Sequence, residues 1–260
     1  SLNLENYDDW KDETDMISDV MRFLDNVLSD FINKAPEQFK DAKYSAERER
    51  SVGLGVMGFH SFLQKKRIPL ESVMAKSWNK KIFKNIHETV HQASKDLAED
   101  RGACPDAAEY GFKERFSNKT AIAPTASISI ICGGASPGVE PIAANSYTHK
   151  TLSGSFNVRN RYLEEILESH GQNDDETWST ITTNQGSVSH LDFLTDLEKD
   201  VFKTAFELNQ KWIIELSGDR TPFISQAQSV TLFLPADVHK KELHRIHFDA
   251  WKKGLKSLYY

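Results

Sequence analysis

Thr120 to Gly134 constrains the fold more than any other stretch of this chain. Its first residues, Thr120 to Ala123, read as a short buried strand that Pro124 ends, with Thr125 where a helix N-cap belongs. Ala126 to Cys132 then make a short apolar helix, stopped by the pair Gly133-Gly134. A strand feeding a helix start, with hydroxyls at Thr125, Ser127 and Ser129, is a natural anion seat. Free backbone N–H groups and the positive end of the helix dipole both point at whatever docks there. The pattern fits equally an ordinary capped helix after a buried strand.

The flanking sequence is mostly helical. Met16, Val20, Phe23, Leu24, Val27, Leu28 and Phe31 recur at three- and four-residue spacing, which predicts an amphipathic helix over 12–32. Val52 to Leu63 reads as a glycine-rich, close-packing helix, and 79–100 as a long helix with Gly102 as its C-cap. Val139 to Val158 is mostly β-like, with a turn at Ser153-Gly154. Helices follow at 161–170, 194–216 and 237–253, with a loop and one helical turn around Trp178 between the first two. Strands are expected at Val230 to Leu234 and Leu255 to Tyr260. Helices alternating with short apolar strands indicate an α/β architecture.

Bulk properties exclude several classes. With 260 residues, 39% hydrophobic and 27% charged, the chain can bury a real core. The net charge of -6 argues against nucleic acid as a partner. No run is long enough for a membrane span, and the N-terminus lacks a signal peptide's pattern. Two cysteines, Cys104 and Cys132, suggest no disulfide framework, so a cytoplasmic location is expected. A chain that starts at Ser1 and stops on Tyr259-Tyr260 reads as cut from something longer.

Two motifs compete for attention. Gly53-Leu54-Gly55-Val56-Met57-Gly58 fits the dinucleotide-binding pattern, but a charged run precedes it instead of an apolar strand. Those glycines are better read as allowing close packing. His87-Glu88-Thr89-Val90-His91 matches the zinc-hydrolase pattern H-E-x-x-H on a predicted helix. Ser94 and Leu97 stand where an extended zinc motif needs glycine and histidine, leaving Asp96, Glu99 or Asp100 as third ligands. Two boundary histidines beside a core stripe explain the pattern more simply. The zinc hydrolase is nevertheless the rival enzyme reading, and a non-catalytic binding fragment is the rival outside enzymes.

Several segments taken together resemble a known family. Pro124-Thr125-Ala126-Ser127-Ile128-Ser129, Val139-Glu140-Pro141 and Tyr147 to Gly154 resemble the large (α) subunit of class I ribonucleotide reductase. Gly53 to Gly58, Arg101 to Pro105 and Trp251 to Tyr260 look like further blocks of it, in the same order. The resemblance runs over essentially the whole chain. It implies the C-terminal half of a ten-stranded α/β barrel, helices packed outside short strands, with 1–260 one domain that is incomplete without its N-terminal half. It also implies that Thr125, Ala126, Ser127, Ile128 and Ser129 bind the diphosphate of a ribonucleoside diphosphate. Many relatives carry a hydroxyl residue where this chain has Ile128, which leaves backbone N–H groups, Thr125 and Ser127 to bind.

In that family adjacent tyrosines relay an oxidising equivalent, a role the resemblance assigns to Tyr259 and Tyr260. Tyr260 would face the radical-generating small subunit and Tyr259 the active-site cysteine. Neither Cys104 nor Cys132 matches a catalytic block, so the radical cysteine and the redox cysteines are expected outside this chain. The resemblance therefore implies a fragment or one half of a split subunit, inactive alone. It would need an N-terminal half and the small subunit as partners. It would hold no metal or cofactor itself, the radical coming from the metal-containing small subunit. An external thiol reductant such as thioredoxin or glutaredoxin would supply electrons.

Overall fold

The computed structural model describes residues 1–152 and 154–259. Five short extended segments run side by side in chain order. Strand β1 (Leu2–Asn3) pairs in parallel with β2 (Val56–Met57), Leu2 opposite Val56 and Asn3 opposite Met57. Single parallel bridges then join Leu54 to Thr120 and Ile122 to Gln228. The Tyr259 N–H donates to the Val230 carbonyl at 2.9 Å, setting the last segment beside the fourth. Parallel neighbours need long crossovers, and helices fill every one of them. This is the α/β arrangement expected, rich in helix and not a closed barrel by itself.

The first crossover carries α1 (Tyr7–Trp10), α2 (Thr14–Lys34) and α3 (Lys40–Glu49). The second carries α4 (Phe59–Lys65), α5 (Val73–Arg101) and α6 (Pro105–Glu109). Between the third and fourth segments lie α7 (Ala126–Ile131), the antiparallel hairpin β3 (Ser146–Thr151) and β4 (Gly154–Arg159), then α8 (Arg161–Ser169), α9 (Asp175–Thr183), α10 (Asp196–Val201) and α11 (Gln210–Arg220). The last crossover is α12 (Lys240–Lys252), whose first turn is capped by the His239 ring accepting from the Lys241 N–H.

One core joins the two layers. Leu2, Leu54, Val56, Ile122 and Val230 from the extended segments are buried with Ile82, Ile86 and Val90 of α5 and Ile213 and Leu216 of α11. A second cluster surrounds Trp178 between α8, α9 and α10. The helical layer has a polar centre. The fully buried Asp25 carboxylate of α2 receives Arg50 (Nη2 at 2.6 Å), Arg101 (Nη1 at 2.7 Å) and Arg115 (Nε at 2.8 Å). Burial alone would raise the Asp25 pKa, but hydrogen bonds from Arg115, Arg101 and Arg50 together hold it below the ordinary carboxylate value.

Four sequence expectations need correction. The stretch 52–57 is extended, Gly58 turns through the left-handed region at φ 80°, and helix α4 begins only at Phe59. Here Gly55 lies so close to the third segment that a Cβ would sit 2.4 Å from the Ala121 carbonyl oxygen. The expected helix 194–216 is two helices. Thr204 turns its N–H and hydroxyl onto Glu207, the Ala205 N–H donates to the Ile142 carbonyl, and Asn209 caps a new start. The loop around Trp178 contains a full helix, α9, capped by Asp174. Neither 230–234 nor 255–259 forms a ladder strand; the Phe233 N–H, which a ladder would use, donates to the Gln210 side chain instead. Of the expected turn at Ser153-Gly154, Ser153 lies outside the described residues.

Candidate functional site

The third extended segment delivers Thr125 to the start of α7 in a conformation that sequence reasoning did not anticipate. Thr125 has φ 55° and ψ 27°, the left-handed region, which costs a β-branched residue about 1–2 kcal/mol. Its side chain makes no helix cap. The hydroxyl instead accepts the Gly138 N–H at 2.7 Å. Gly138 is itself at φ 48°, and a Cβ there would meet the Ala123 carbonyl oxygen at 2.8 Å, so only glycine permits this closure. Thr125 is therefore a tether between the loop's two ends.

That tether leaves the first turn open. The helical ladder begins with the Ser129 N–H donating to the Thr125 carbonyl at 2.9 Å. The N–H groups of Ala126, Ser127 and Ile128 have no acceptor within the helix, and all three residues are exposed. Ser129 is buried, its hydroxyl turned onto the Ala126 carbonyl at 3.2 Å. Of the five residues expected to bind, three present donors outward, one tethers and one locks the helix.

The loop's return path, 134–142, is riveted to α4. The Gly58 N–H donates to the Ser136 carbonyl, and Ser61 and Ser136 exchange N–H to hydroxyl bonds at 3.1 and 2.8 Å. The Ile142 N–H donates to His60 Nδ1 at 3.0 Å. His60 is fully enclosed, and burial pulls its pKa down to about 3, so the ring stays neutral and keeps accepting. Glu140 is half-buried and accepts from the Thr231 hydroxyl at 2.5 Å. Burial raises its pKa, opposed by that hydrogen bond. The sequence singled out Glu140 only as part of a family block, and His60 not at all.

Beside this loop a cavity of about 530 Å³ opens along the flank of α7 formed by Ala126, Ser129, Ile130 and Gly133. Its polar edge is a cluster of buried Glu5 and Tyr162 with half-exposed Arg161. Arg161 Nη2 lies 2.5 Å from Glu5 Oε1, and the Tyr162 hydroxyl donates to the same oxygen at 2.9 Å. Burial, reinforced by Glu5, pushes Tyr162 up to about 12, which keeps that phenol a donor. No sequence signal marked this cluster, since its members lie 157 positions apart.

The remaining expected residues are placed as follows. Tyr259 is exposed on the last segment; Tyr260 lies outside the described residues. The amine of Lys256 donates to the carbonyls of Ile224, Ser225 and Gln226 at 3.1, 2.6 and 2.8 Å, anchoring the segment that carries Tyr259. Cys104 is buried and Cys132 exposed, and both are free thiols. His87 and His91 lie with ring centroids 4.2 Å apart on α5, their planes tilted by 54°. His87 Nδ1 is 3.3 Å from the Phe223 carbonyl and His91 Nδ1 is 3.5 Å from Glu114, while Glu88 is exposed beside Lys84. Among the described residues no three His, Cys, Asp or Glu side chains are grouped to hold a metal, so the zinc motif lacks the third ligand it was expected to find. No helix among the described residues is long and apolar enough to cross a membrane.

Comparison with known proteins is consistent across the chain. The family described as the ribonucleotide reductase barrel domain matches residues 1–114 and 106–260. The ribonucleoside-diphosphate reductase large subunit of Invertebrate iridescent virus 6 is 51% identical over the whole of this chain, which spans 27% of it. That of Invertebrate iridescent virus 3 is 45% identical, with this chain spanning 41% of it. Among solved structures, the Actinobacillus ureae class Id ribonucleotide reductase alpha subunit superimposes with a TM-score of 0.92 at 37% identity, covering 99% of this chain and 48% of that one. The chain thus spans less than half the length of each of these relatives.

Proposed function

This chain belongs to the ribonucleotide reductase barrel-domain family, and from that premise we propose that it supplies the substrate-diphosphate loop and part of the radical-transfer path of a ribonucleoside-diphosphate reductase large subunit. In this reading 1–260 acts as one unit, the C-terminal part of the barrel. The observation that carries the reading is the tethered start of α7. Three adjacent exposed residues, Ala126, Ser127 and Ile128, offer N–H groups that the helix cannot use, held in place by the Thr125–Gly138 bond. Oriented backbone donors of this kind suit phosphate oxygens and need no side-chain charge. The Ser127 hydroxyl adds one further donor, and the Ile128 side chain adds none.

The thiol chemistry of ribose reduction lies with residues outside this chain. Cys104 is buried at the N-cap of α6, and Cys132 closes α7 on the exposed side. The partners are therefore an N-terminal half carrying the radical and redox cysteines and a small subunit supplying the radical. A thiol reductant such as thioredoxin or glutaredoxin restores the cysteines. Tyr259 would carry the oxidising equivalent at short range.

The test is a ribonucleoside-diphosphate reduction assay on this chain alone and mixed with an N-terminal large-subunit polypeptide and the small subunit. Turnover only in the mixture is expected. Turnover by the chain alone, or none in any mixture that contains folded protein, would overturn the reading.

A further inference from the structure

The cavity along α7 has features that the diphosphate loop does not use. It is bounded by apolar side chains, among them Ile130, Pro137, Ile142 and Val158, and at about 530 Å³ it falls in the range of small-molecule sites. Glu5 lines it while being 3% exposed. One of its oxygens, Oε1, is saturated by Arg161 and Tyr162. Among the described residues the other, Oε2, receives only Asn3 Nδ2 at 3.4 Å, a long contact for a buried carboxylate oxygen. A buried acceptor with spare capacity beside an apolar cavity is a recognition group without its donor.

Charge selects the donor. Arg161 already neutralises Glu5, and its guanidinium remains half exposed, with Nη1 3.9 Å from where a Cβ on Gly133 would stand. A cationic ligand would meet that guanidinium, and an anionic one would meet the buried carboxylate. A neutral N–H donor meets neither penalty. Further in, the amides of Gln64, Asn160 and Asn145 form a bonded row, Asn160 Nδ2 donating to Gln64 Oε1 at 3.0 Å and to Asn145 Oδ1 at 2.8 Å. Each of those amide oxygens keeps a second lone pair for a ligand N–H.

The geometry points to a ligand site in this cavity for a neutral, largely apolar molecule bearing an amide or amino N–H donor, with Glu5 Oε2 as its acceptor. Ala126 borders the site, but the site takes no backbone N–H of 126–128 and stands whether or not those groups hold phosphate.

An isosteric series tests it by saturation-transfer NMR on the full 260-residue chain. Benzamide is the neutral probe, with benzamidinium and benzoate as its cationic and anionic counterparts. Benzamide is expected to bind saturably and both charged probes at least about tenfold more weakly. Ala143 is exposed at the cavity mouth, so Ala143→Trp should fold normally and weaken benzamide by a similar factor. Pyrophosphate binding, followed in the same samples, reports the diphosphate loop separately and should survive Ala143→Trp. No saturable benzamide signal, equal binding of the three probes, or undiminished benzamide binding by folded Ala143→Trp would each overturn the assignment.

Discussion

The Thr125 hydroxyl accepts the Gly138 N–H at 2.7 Å, so the residue at the head of α7 holds the loop shut instead of capping its own helix. Removing that acceptor alone tests the arrangement. Thr125→Val keeps shape and branching but loses the bond, which should cost about 1 kcal/mol of stability. It should weaken pyrophosphate binding by about tenfold or more, as read by calorimetry. Thr125→Ser should restore both. Equal binding by the Val and Ser variants would show that the tether does not organise the donors.

Asp25 and its three arginines predict a different outcome. Asp25→Asn leaves Arg50, Arg101 and Arg115 converging on a neutral group inside the helical layer, and about 3–5 kcal/mol of stability should be lost in urea unfolding. Because the folded pKa of Asp25 is depressed, its contribution is complete above the ordinary value near 3.8 and is lost as pH falls below it. The variant should therefore lose less stability than the parent on acidification below about pH 4.

His60 acts in a higher pH window. Its folded pKa of about 3 lies below the unfolded value of 6.5, so the unfolded chain binds the extra proton between those limits. Stability must fall as pH drops from about 6.5 towards 3, by an amount on the order of 4 kcal/mol at the lower end. Chevron or urea series at several pH values should show this slope, and His60→Gln should flatten it. An unchanged slope in His60→Gln would assign the acid sensitivity elsewhere.

Lys256 is exposed, so Lys256→Met should change global stability by less than about 1 kcal/mol. Its three carbonyl acceptors hold the last extended segment, however. Hydrogen exchange at the Tyr259 N–H should quicken by about tenfold while exchange in α5 is unaffected.

Tyr259→Phe removes only a phenolic oxygen from an exposed ring. Pyrophosphate binding should match the parent, and turnover in the reconstituted assembly should vanish. Retained turnover would remove Tyr259 from the radical path.

Local pattern was legible in the sequence wherever local forces decide structure. Apolar spacing located α2 to within two residues at each end and α5 to within one at its C-terminus but six at its start, and the strand–Pro124–helix–Gly133 sequence located α7 to within one. Misreadings came where distant contacts override a local pattern. The periodicity of Leu197, Val201, Ala205 and Leu208 continues straight through a break imposed by Ile142 and Thr204. Gly53 to Gly58 looked helical because the Ala121 backbone that demands Gly55 lies 66 positions away in the chain. At the site, the exposed donors of 126–128 were readable, whereas the Thr125 tether, the His60 acceptor and the Glu5 cluster depend on partners that no spacing announces.

The order of the five extended segments has a topological consequence. Position across the segments follows position along the chain, so one lateral margin lies at Leu2–Asn3 and the other at Tyr259. A complementary set of segments could dock along both margins like the second half of a zipper. No loop would have to be threaded through another, and neither half would have to unfold to admit its mate.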